Sequence, residues 1–125
     1  KAMGLDPNYE EPLFFYGDIL VKQDRNEEAI PVLERAIRNR PDYMSARVVL
    51  GRAYMGLERY EDAIRELNEA VRLAPKHPQP HLILSQVYFR QGQEDKARQE
   101  RELSLQYRQE SPETMEAKPA KPFPE

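Results

Sequence analysis

The sequence predicts an all-α protein built from repeated pairs of helices. The first observation is a period of 34 residues, at which prolines and small residues recur in register. The aligned sets are Pro7, Pro41 and Pro75; Gly17, Gly51 and Ser85; Ala29, Ala63 and Ala97; and Ala2, Ala36 and Ala70. The second observation is that each period holds two stretches with the apolar spacing of a helix. A fixed period of this length is typical of a solenoid, in which each unit buries its apolar face against its neighbours.

The period divides the chain into five segments. They are the end of a preceding repeat helix at 1–9, a first repeat at 10–43, a second repeat at 44–77, a third repeat at 78–110 with a capping second helix, and a proline-rich extended tail at 111–125. The predicted helices are 10–21, 27–38, 44–57, 60–73, 78–90 and a last helix from about 94 to 111. Residues 1–9 are assigned to an earlier repeat because Ala2 and Pro7 keep the register of a second-helix end.

Local signals set the ends of individual helices. Pro41 and Pro75 stand just past predicted helix ends, where a proline stops a helix without loss of an internal hydrogen bond. We expect Asn26 to be the N-cap of the second helix, because acidic residues follow it in the first turn. Pro31 lies inside that helix, so we expect a lost hydrogen bond and a mild bend. Pro78 begins the fifth helix at a favourable position.

The last predicted helix is more polar than its counterparts in the earlier repeats. Arg101 and Ser104 stand where those repeats carry leucine and alanine. A polar outer face suits a terminal helix, which no further repeat covers. The segment after Ser111 carries several prolines and ends in Lys-Pro-Phe-Pro-Glu, so we expect an extended polyproline-like tail there.

Composition excludes several classes of function. With 19 basic and 22 acidic residues the net charge is −3, whereas a nucleic-acid-binding domain needs a clustered basic surface. No apolar run approaches the roughly 18 residues that a membrane span needs. The chain has no cysteine, and therefore no disulfide framework or thiolate chemistry. These features are compatible with any compartment, and a targeting signal would lie upstream of Lys1, so the localisation is not indicated.

Motifs for catalysis or metal binding are poorly represented. The two histidines, His77 and His81, are four residues apart, but Pro78 and Pro80 interrupt the helix that would direct both towards one metal ion. We therefore expect two ordinary surface or packing histidines. The sequence contains no glycine-rich phosphate loop, nucleophile elbow or HExxH motif. We predict that the chain is not an enzyme and carries no metal or cofactor.

The motif residues of each repeat resemble those of the tetratricopeptide repeat family. In the second repeat the matching residues are Leu50, Gly51, Tyr54, Ala63, Leu67, Ala70 and Pro75. In the first repeat they are Leu13, Gly17, Leu20, Ala29, Leu33, Ala36 and Pro41, and in the third they are Leu84, Tyr88 and Ala97. The second repeat departs from the family at Arg47, where a large apolar residue is usual. The resemblance covers about residues 1–110 and implies a right-handed superhelix of antiparallel helix pairs.

The resemblance also implies where a partner would bind. In such proteins the first helix of each pair lines a concave groove. Carried over to this sequence, the groove residues form the rows Phe14, Val48, Leu82; Asp18, Arg52, Gln86; and Val21, Met55, Phe89. Two rows are apolar, and exposed apolar residues on a groove mark a binding site. The alternative is that these side chains pack against neighbouring helices and the groove binds nothing.

One subgroup of the family binds the C-terminal carboxylate of chaperones through lysines and asparagines in this groove. The matching positions here hold Phe14, Asp18, Val49 and Ser45. The basic clamp is therefore absent, and we do not predict binding of chaperone tails.

The sequence thus favours a non-catalytic protein–protein interaction module that binds a peptide or helical segment in the groove. The alternative is a structural spacer or self-association segment of a larger multi-repeat protein. Two further hypotheses stay open. The tail around Phe123 docks on a groove of this chain or of a neighbour, or the chain forms a homodimer through the exposed face of its first repeat or through the tail.

Overall fold

The computed structural model describes residues 10–110, and the secondary structure within them is α-helical. The helices are α1 (Glu10–Lys22), α2 (Asn26–Asn39), α3 (Met44–Gly56), α4 (Tyr60–Leu73), α5 (Pro78–Arg90) and α6 (Glu94–Glu110). The predicted all-α fold is confirmed, and the predicted helix ends differ from the observed ones by one residue at most. The predictions for residues 1–9 and for the tail lie outside the described residues.

The helices belong to two compact units, one ending at Pro75 and the other beginning at Lys76. In unit 1, α1 packs against α2 and α3 packs against α4, while α3 also contacts α2 and α1. In unit 2, α5 packs against α6. Each pair is joined by a connection of three residues, at 23–25, 57–59 and 91–93. Below, α1, α3 and α5 are called first helices, and α2, α4 and α6 second helices.

The core of unit 1 consists of leucines and alanines at the repeated positions. Leu20, Leu33, Leu50 and Leu67 are fully buried. Burial of each such side chain contributes roughly 1.5–3 kcal/mol to folding. The alanines at 29, 36, 63 and 70 are also fully buried. Their small side chains allow the second helices to lie close to the first helices.

Two glycines mark the closest contacts between paired helices. A Cβ atom built at Gly17 would lie 2.6 Å from Cδ2 of Leu33. The equivalent atom at Gly51 would lie 2.7 Å from Cγ of Leu67. In both repeats of unit 1, a glycine on the first helix therefore permits the close approach of a leucine on the second helix.

The start of α2 differs from the prediction. Arg25 occupies the N-cap position without a side-chain capping bond, and Asn26 is already the first residue of the helix. The Asn26 side chain is buried, donates from Nδ2 to Oδ1 of Asp24 at 3.2 Å, and lies where a side chain at Gly56 would be. The prediction of Asn26 as N-cap was wrong because this side chain packs against the end of α3 instead of turning back to α2.

The connections within the pairs share a feature that the sequence analysis did not identify. Asp24, Glu58 and Gly92, which are 34 residues apart, have φ angles of 62°, 61° and 79°. Each therefore lies in the left-handed region, which favours glycine and tolerates aspartate better than glutamate. The backbone reverses direction in the same way after each first helix.

Candidate functional site

The predicted binding residues of unit 1 lie on two first helices that pack against each other. We define the first-helix face of unit 1 as the predicted residues of α1 and α3, namely Phe14, Asp18, Val21, Val48, Arg52 and Met55. Because α1 contacts α3, the three residues of α1 and the three residues of α3 belong to neighbouring helices of one compact unit. Phe14, Asp18 and Val21 are each partly exposed.

The α3 half of this face contains two buried residues. Val48 is 1% exposed and Met55 is 8% exposed, so neither side chain offers a surface to a partner. Arg52 differs from them because it is partly exposed. Within residues 10–110 its guanidinium has no hydrogen-bond or ion-pair partner. The accessible part of the face therefore combines two apolar side chains and one carboxylate on α1 with one available guanidinium on α3.

Neighbouring side chains hold the α1 residues in place. The ring of Phe14 lies 5.1 Å from the ring of Tyr43 and 5.2 Å from the ring of Phe15, measured between centroids. Asp18 forms an ion pair with Lys22 one turn later, with 3.2 Å between Oδ2 and Nζ. An ion pair at this spacing stabilises a helix by a few tenths of a kcal/mol. The carboxylate of Asp18 thus has an ion-pair partner, whereas the guanidinium of Arg52 has none among the described side chains.

The predicted residues of unit 2 lie on α5. Leu82 is partly exposed, Gln86 is exposed, and Phe89 is 64% exposed. A phenylalanine side chain of this exposure leaves a large apolar area in contact with water. Phe89 is therefore the most accessible apolar member of the predicted set.

A cavity of about 360 Å³ lies on a different side of unit 1, between α2, α3 and α4. Its lining residues are Glu34, Ile37, Arg38, Arg47, Leu50 and Glu66. Arg47 donates from Nη1 to Oε1 of Glu66 at 3.0 Å, and from Nη2 to the carbonyl oxygen of Pro41 at 3.1 Å. The sequence analysis noted Arg47 as a departure from the family pattern but did not predict the cavity beside it.

Two further side-chain contacts join a first helix to a second helix, one in each unit. The Tyr54 hydroxyl donates to Glu34 at 3.3 Å, and burial together with this carboxylate raises the pKa of Tyr54. In unit 2, at the positions equivalent to Arg47 and Glu66, Nδ1 of His81 lies 2.7 Å from Oε1 of Glu100. Three of the charged residues that line the cavity, Glu34, Arg47 and Glu66, thus already have partners, and we assign no ligand to it.

The histidines and carboxylates of residues 10–110 form no cluster of three or more that could hold a metal ion. His77 is the N-cap of α5, where Nδ1 accepts a hydrogen bond from the backbone N–H of Gln79 at 3.2 Å. His81 is the buried partner of Glu100 described above. Among the helices described here, none has the length and the apolar character needed to cross a membrane.

A family model described as tetratricopeptide repeat matches residues 16–78 and, in overlap, residues 48–112. The chain belongs to the tetratricopeptide repeat family. The resemblance noted from the motif residues is therefore confirmed. The pairs of helices joined by short connections are the structural units of this tetratricopeptide repeat protein. A comparison with curated protein sequences finds no match.

Solved structures with the same helical solenoid fold support the assignment. MamA from Desulfovibrio magneticus RS-1 superposes with a TM-score of 0.77 at 26% identity, over 85% of this chain and 60% of that chain. The Yersinia enterocolitica type III secretion translocator chaperone SycD gives a TM-score of 0.78 at 18% identity, over 86% of this chain and 81% of that one. The second tetratricopeptide domain of Spaghetti (RPAP3), bound to an HSP90 peptide, gives 0.73 at 19% identity, over 78% and 91%. The chain spans less than two thirds of the length of two of these MamA chains, at 60% and 62%.

Proposed function

We propose that this tetratricopeptide repeat protein is a non-catalytic interaction module that binds an apolar segment of a partner protein on its first helices. The observation that carries the proposal is the combination of Arg52, whose guanidinium has no partner within residues 10–110, with partly exposed Phe14 and Val21 on the adjacent helix. Family membership supports an interaction module over an enzyme. The peptide-bound structure of the RPAP3 domain supports it by analogy of fold.

The chemistry of these side chains suggests the kind of segment that binds. Phe14 and Val21 suit aliphatic or aromatic side chains, because burial of apolar area contributes about 25 cal/mol per Å². Arg52 suits a carboxylate or a backbone carbonyl oxygen, since charge-assisted hydrogen bonds from guanidinium groups are strong and directional. Phe89 on α5 offers a separate apolar contact. The proposed ligand is therefore an extended or helical apolar segment that carries one acidic side chain or a free carbonyl group.

This ligand differs from the one in the RPAP3 structure, in which the bound HSP90 peptide is SRMEEVD. The positions that would hold a basic clamp carry Phe14, Asp18, Val49 and Ser45 here. Asp18 is itself acidic, and Val49 is buried, so neither side chain can neutralise the carboxylates of this acidic peptide. We therefore expect no measurable binding of the SRMEEVD peptide.

The proposal is tested with a random peptide library displayed on phage, selected against the immobilised chain. The binding of the selected peptides is then measured by isothermal titration for the parent and for Arg52→Ala and Val21→Ser variants. We expect each substitution to weaken binding about tenfold, which corresponds to about 1.4 kcal/mol. Both positions lie outside the buried core, so circular dichroism should show folded variants.

Leu105→Ser supplies the matched control, because Leu105 is an exposed apolar residue on α6, which is a second helix. It should leave the affinity of the selected peptides unchanged. Selection of peptides that bind the Arg52→Ala and Val21→Ser variants as tightly as the parent would overturn the proposal. Val48→Asp is unsuitable as a test, because a charge at this buried position would destabilise the fold.

A further inference from the structure

One pair of equivalent positions carries a different kind of residue pair in each of the three repeats. The first member lies on the first helix, and the second member lies on the second helix of the same repeat. The pairs are Leu13 and Val32, Arg47 and Glu66, and His81 and Glu100. The first pair is apolar. The second contains an arginine, which stays protonated at any ordinary pH, and the third contains a histidine, whose charge depends on pH.

The structure brings the two members of each polar pair into direct contact. Nη1 of Arg47 lies 3.0 Å from Oε1 of Glu66, and Nδ1 of His81 lies 2.7 Å from Oε1 of Glu100. The His81 side chain is the more shielded from water, since it is 8% exposed whereas that of Arg47 is 18% exposed. An ionised carboxylate only accepts hydrogen bonds, so Nδ1 of His81 carries a proton and donates it to Glu100.

Other titratable groups of unit 2 lie around this pair. The centroid of the Tyr107 ring, on α6, lies 5.4 Å from that of the imidazole. Burial, and then the charge of Glu100, raise the pKa of Tyr88, two turns after His81 on α5. The remaining groups are Lys96 of α6, whose ammonium lies 5.5 Å from the centroid of the Tyr88 ring, and His77, the N-cap of α5. Among these groups, Glu100 supplies the carboxylate within hydrogen-bond distance of His81.

This polar contact is important in unit 2 because α6 lacks the buried leucine of the other second helices. Leu33 of α2 and Leu67 of α4 are fully buried, whereas the equivalent residue of α6 is Arg101, which is exposed. The buried residues of α6 are Ala97 and Ser104, and both are small. Small side chains bury little apolar area, so the polar contact provides a larger part of the free energy that holds α6 on α5.

The strength of the contact depends on the charge of the imidazole. A protonated imidazole and the carboxylate are opposite charges in contact at 2.7 Å. A neutral imidazole still donates from Nδ1, but the attraction between two opposite charges is lost. Histidine side chains change charge between about pH 5 and pH 8, where carboxylates stay largely ionised. The contact is therefore strongest at the acidic end of this range and weakens as the pH rises.

We propose that the His81–Glu100 contact is a pH-dependent link between α5 and α6, which strengthens as the medium becomes more acidic. The Arg47–Glu66 contact of unit 1 lacks this dependence, because arginine stays protonated throughout the same range. The two units therefore respond differently to acidification, although the two pairs occupy equivalent positions of the repeat.

A double-mutant cycle at two pH values separates this contact from other effects of pH. Its members are the parent chain, His81→Leu, Glu100→Val and the double variant, which carries the apolar pair of the first repeat. Urea denaturation followed by circular dichroism gives four unfolding equilibrium constants, from which the coupling factor between the two side chains is calculated. We expect this factor to be about threefold larger near pH 5.5 than near pH 8.5, because a hydrogen bond between two charged groups is the stronger.

His81→Arg supplies the matched control, because it reproduces the pair of the second repeat. The cycle with arginine at this position should give the same coupling factor at both pH values. His77→Gln should leave the result of the first cycle unchanged.

A second cycle with His81→Gln and Glu100→Gln keeps both positions polar, which guards against loss of folding, and should change with pH in the same direction. A His81–Glu100 coupling that is equal at the two pH values, or larger at alkaline pH, would overturn the proposal. An arginine cycle with the same pH dependence would also overturn it, since the imidazole would then not be the source.

Discussion

At the residue scale, the contact between paired helices depends on which residue of the second helix packs against a glycine of the first helix. Gly17 faces Leu33 and Gly51 faces Leu67, in each case too closely for a Cβ atom. The third repeat carries Ser85 at the equivalent position, and the residue equivalent to the leucines is Arg101, which is exposed. The Ser85 hydroxyl donates to the carbonyl oxygen of Leu82 at 2.6 Å. A larger residue is therefore accepted where the opposing leucine is absent.

Gly51→Ala should destabilise the protein by roughly 1–2 kcal/mol, because the added methyl group overpacks the contact with Leu67. The direction of this change in stability distinguishes a packed position from an exposed one, because alanine in place of glycine at an exposed helix position stabilises by about 1 kcal/mol. Urea denaturation measures the change. In a Leu67→Ala background the same substitution should become neutral or stabilising. A stabilising effect of Gly51→Ala in the parent would contradict the contact.

The left-handed positions of the connections give a second residue-scale prediction. Gly92→Ala should cost about 1 kcal/mol, and it should do so through the backbone alone, because no atom lies within 4 Å of the added Cβ. Glu58→Gly should stabilise by about 0.5–1 kcal/mol, because it relieves a positive φ at a glutamate. Thermal unfolding of both variants tests this pair of opposite signs. Two changes of the same sign would refute it.

At the scale of the element, ion pairs stand at the starts of the second helices. Arg25 pairs with Glu28 at 2.6 Å, and Arg59 pairs with Asp62 at 2.9 Å, at equivalent positions of the first two repeats. Asp62 also accepts a hydrogen bond from Arg65 at 2.9 Å. A carboxylate in the first turn of a helix also interacts favourably with the helix dipole. Asp62 thus combines three favourable interactions of its ionised form.

The hydrogen bond from Arg65, followed by the contact with Arg59, lowers the pKa of Asp62 below its usual value of 3.8. A carboxylate with a lowered pKa in the folded state stabilises the protein above its unfolded-state pKa. That contribution is lost as the pH falls through the folded-state pKa. The stability difference between the parent and Asp62→Asn should therefore be constant at neutral pH and shrink below about pH 3.8. Denaturation at several pH values measures it, and a difference that grows on acidification would contradict the assignment.

The ends of the helices were predictable from the sequence because the same pattern occurs three times, once in each 34-residue repeat. A proline or alanine that is ambiguous in one repeat is resolved by its equivalents in the others. The start of α2 was an exception, because Asn26 lies against Gly56 of α3, a contact between elements that local capping preferences do not contain. The positive φ at Glu58 was missed for a related reason. A glutamate gives no indication of a positive φ angle, whereas the glycine at the equivalent position, Gly92, does.

At the scale of the whole molecule, the sequence identified the residues of the first-helix face but could not rank them by exposure. Val48 and Met55 were predicted to line the groove with Phe14 and Phe89, yet they are buried while Phe89 is largely exposed. Helical spacing shows which residues share a face, but it does not show how closely neighbouring elements cover that face. Phe15, Tyr16 and Ile19 of α1 illustrate the same limit, because their residue types alone predict core positions, yet all three are exposed.

The central claim is that partners bind on the first helices, and a chemical-shift map of the isotope-labelled chain tests it most directly. A peptide obtained from the phage selection is titrated into the chain, and the amide and side-chain signals are followed. The account predicts that the largest shifts occur at Phe14, Val21 and Arg52. Shifts concentrated on the second helices, or on Phe15, Tyr16 and Ile19, with Arg52 unaffected, would contradict it.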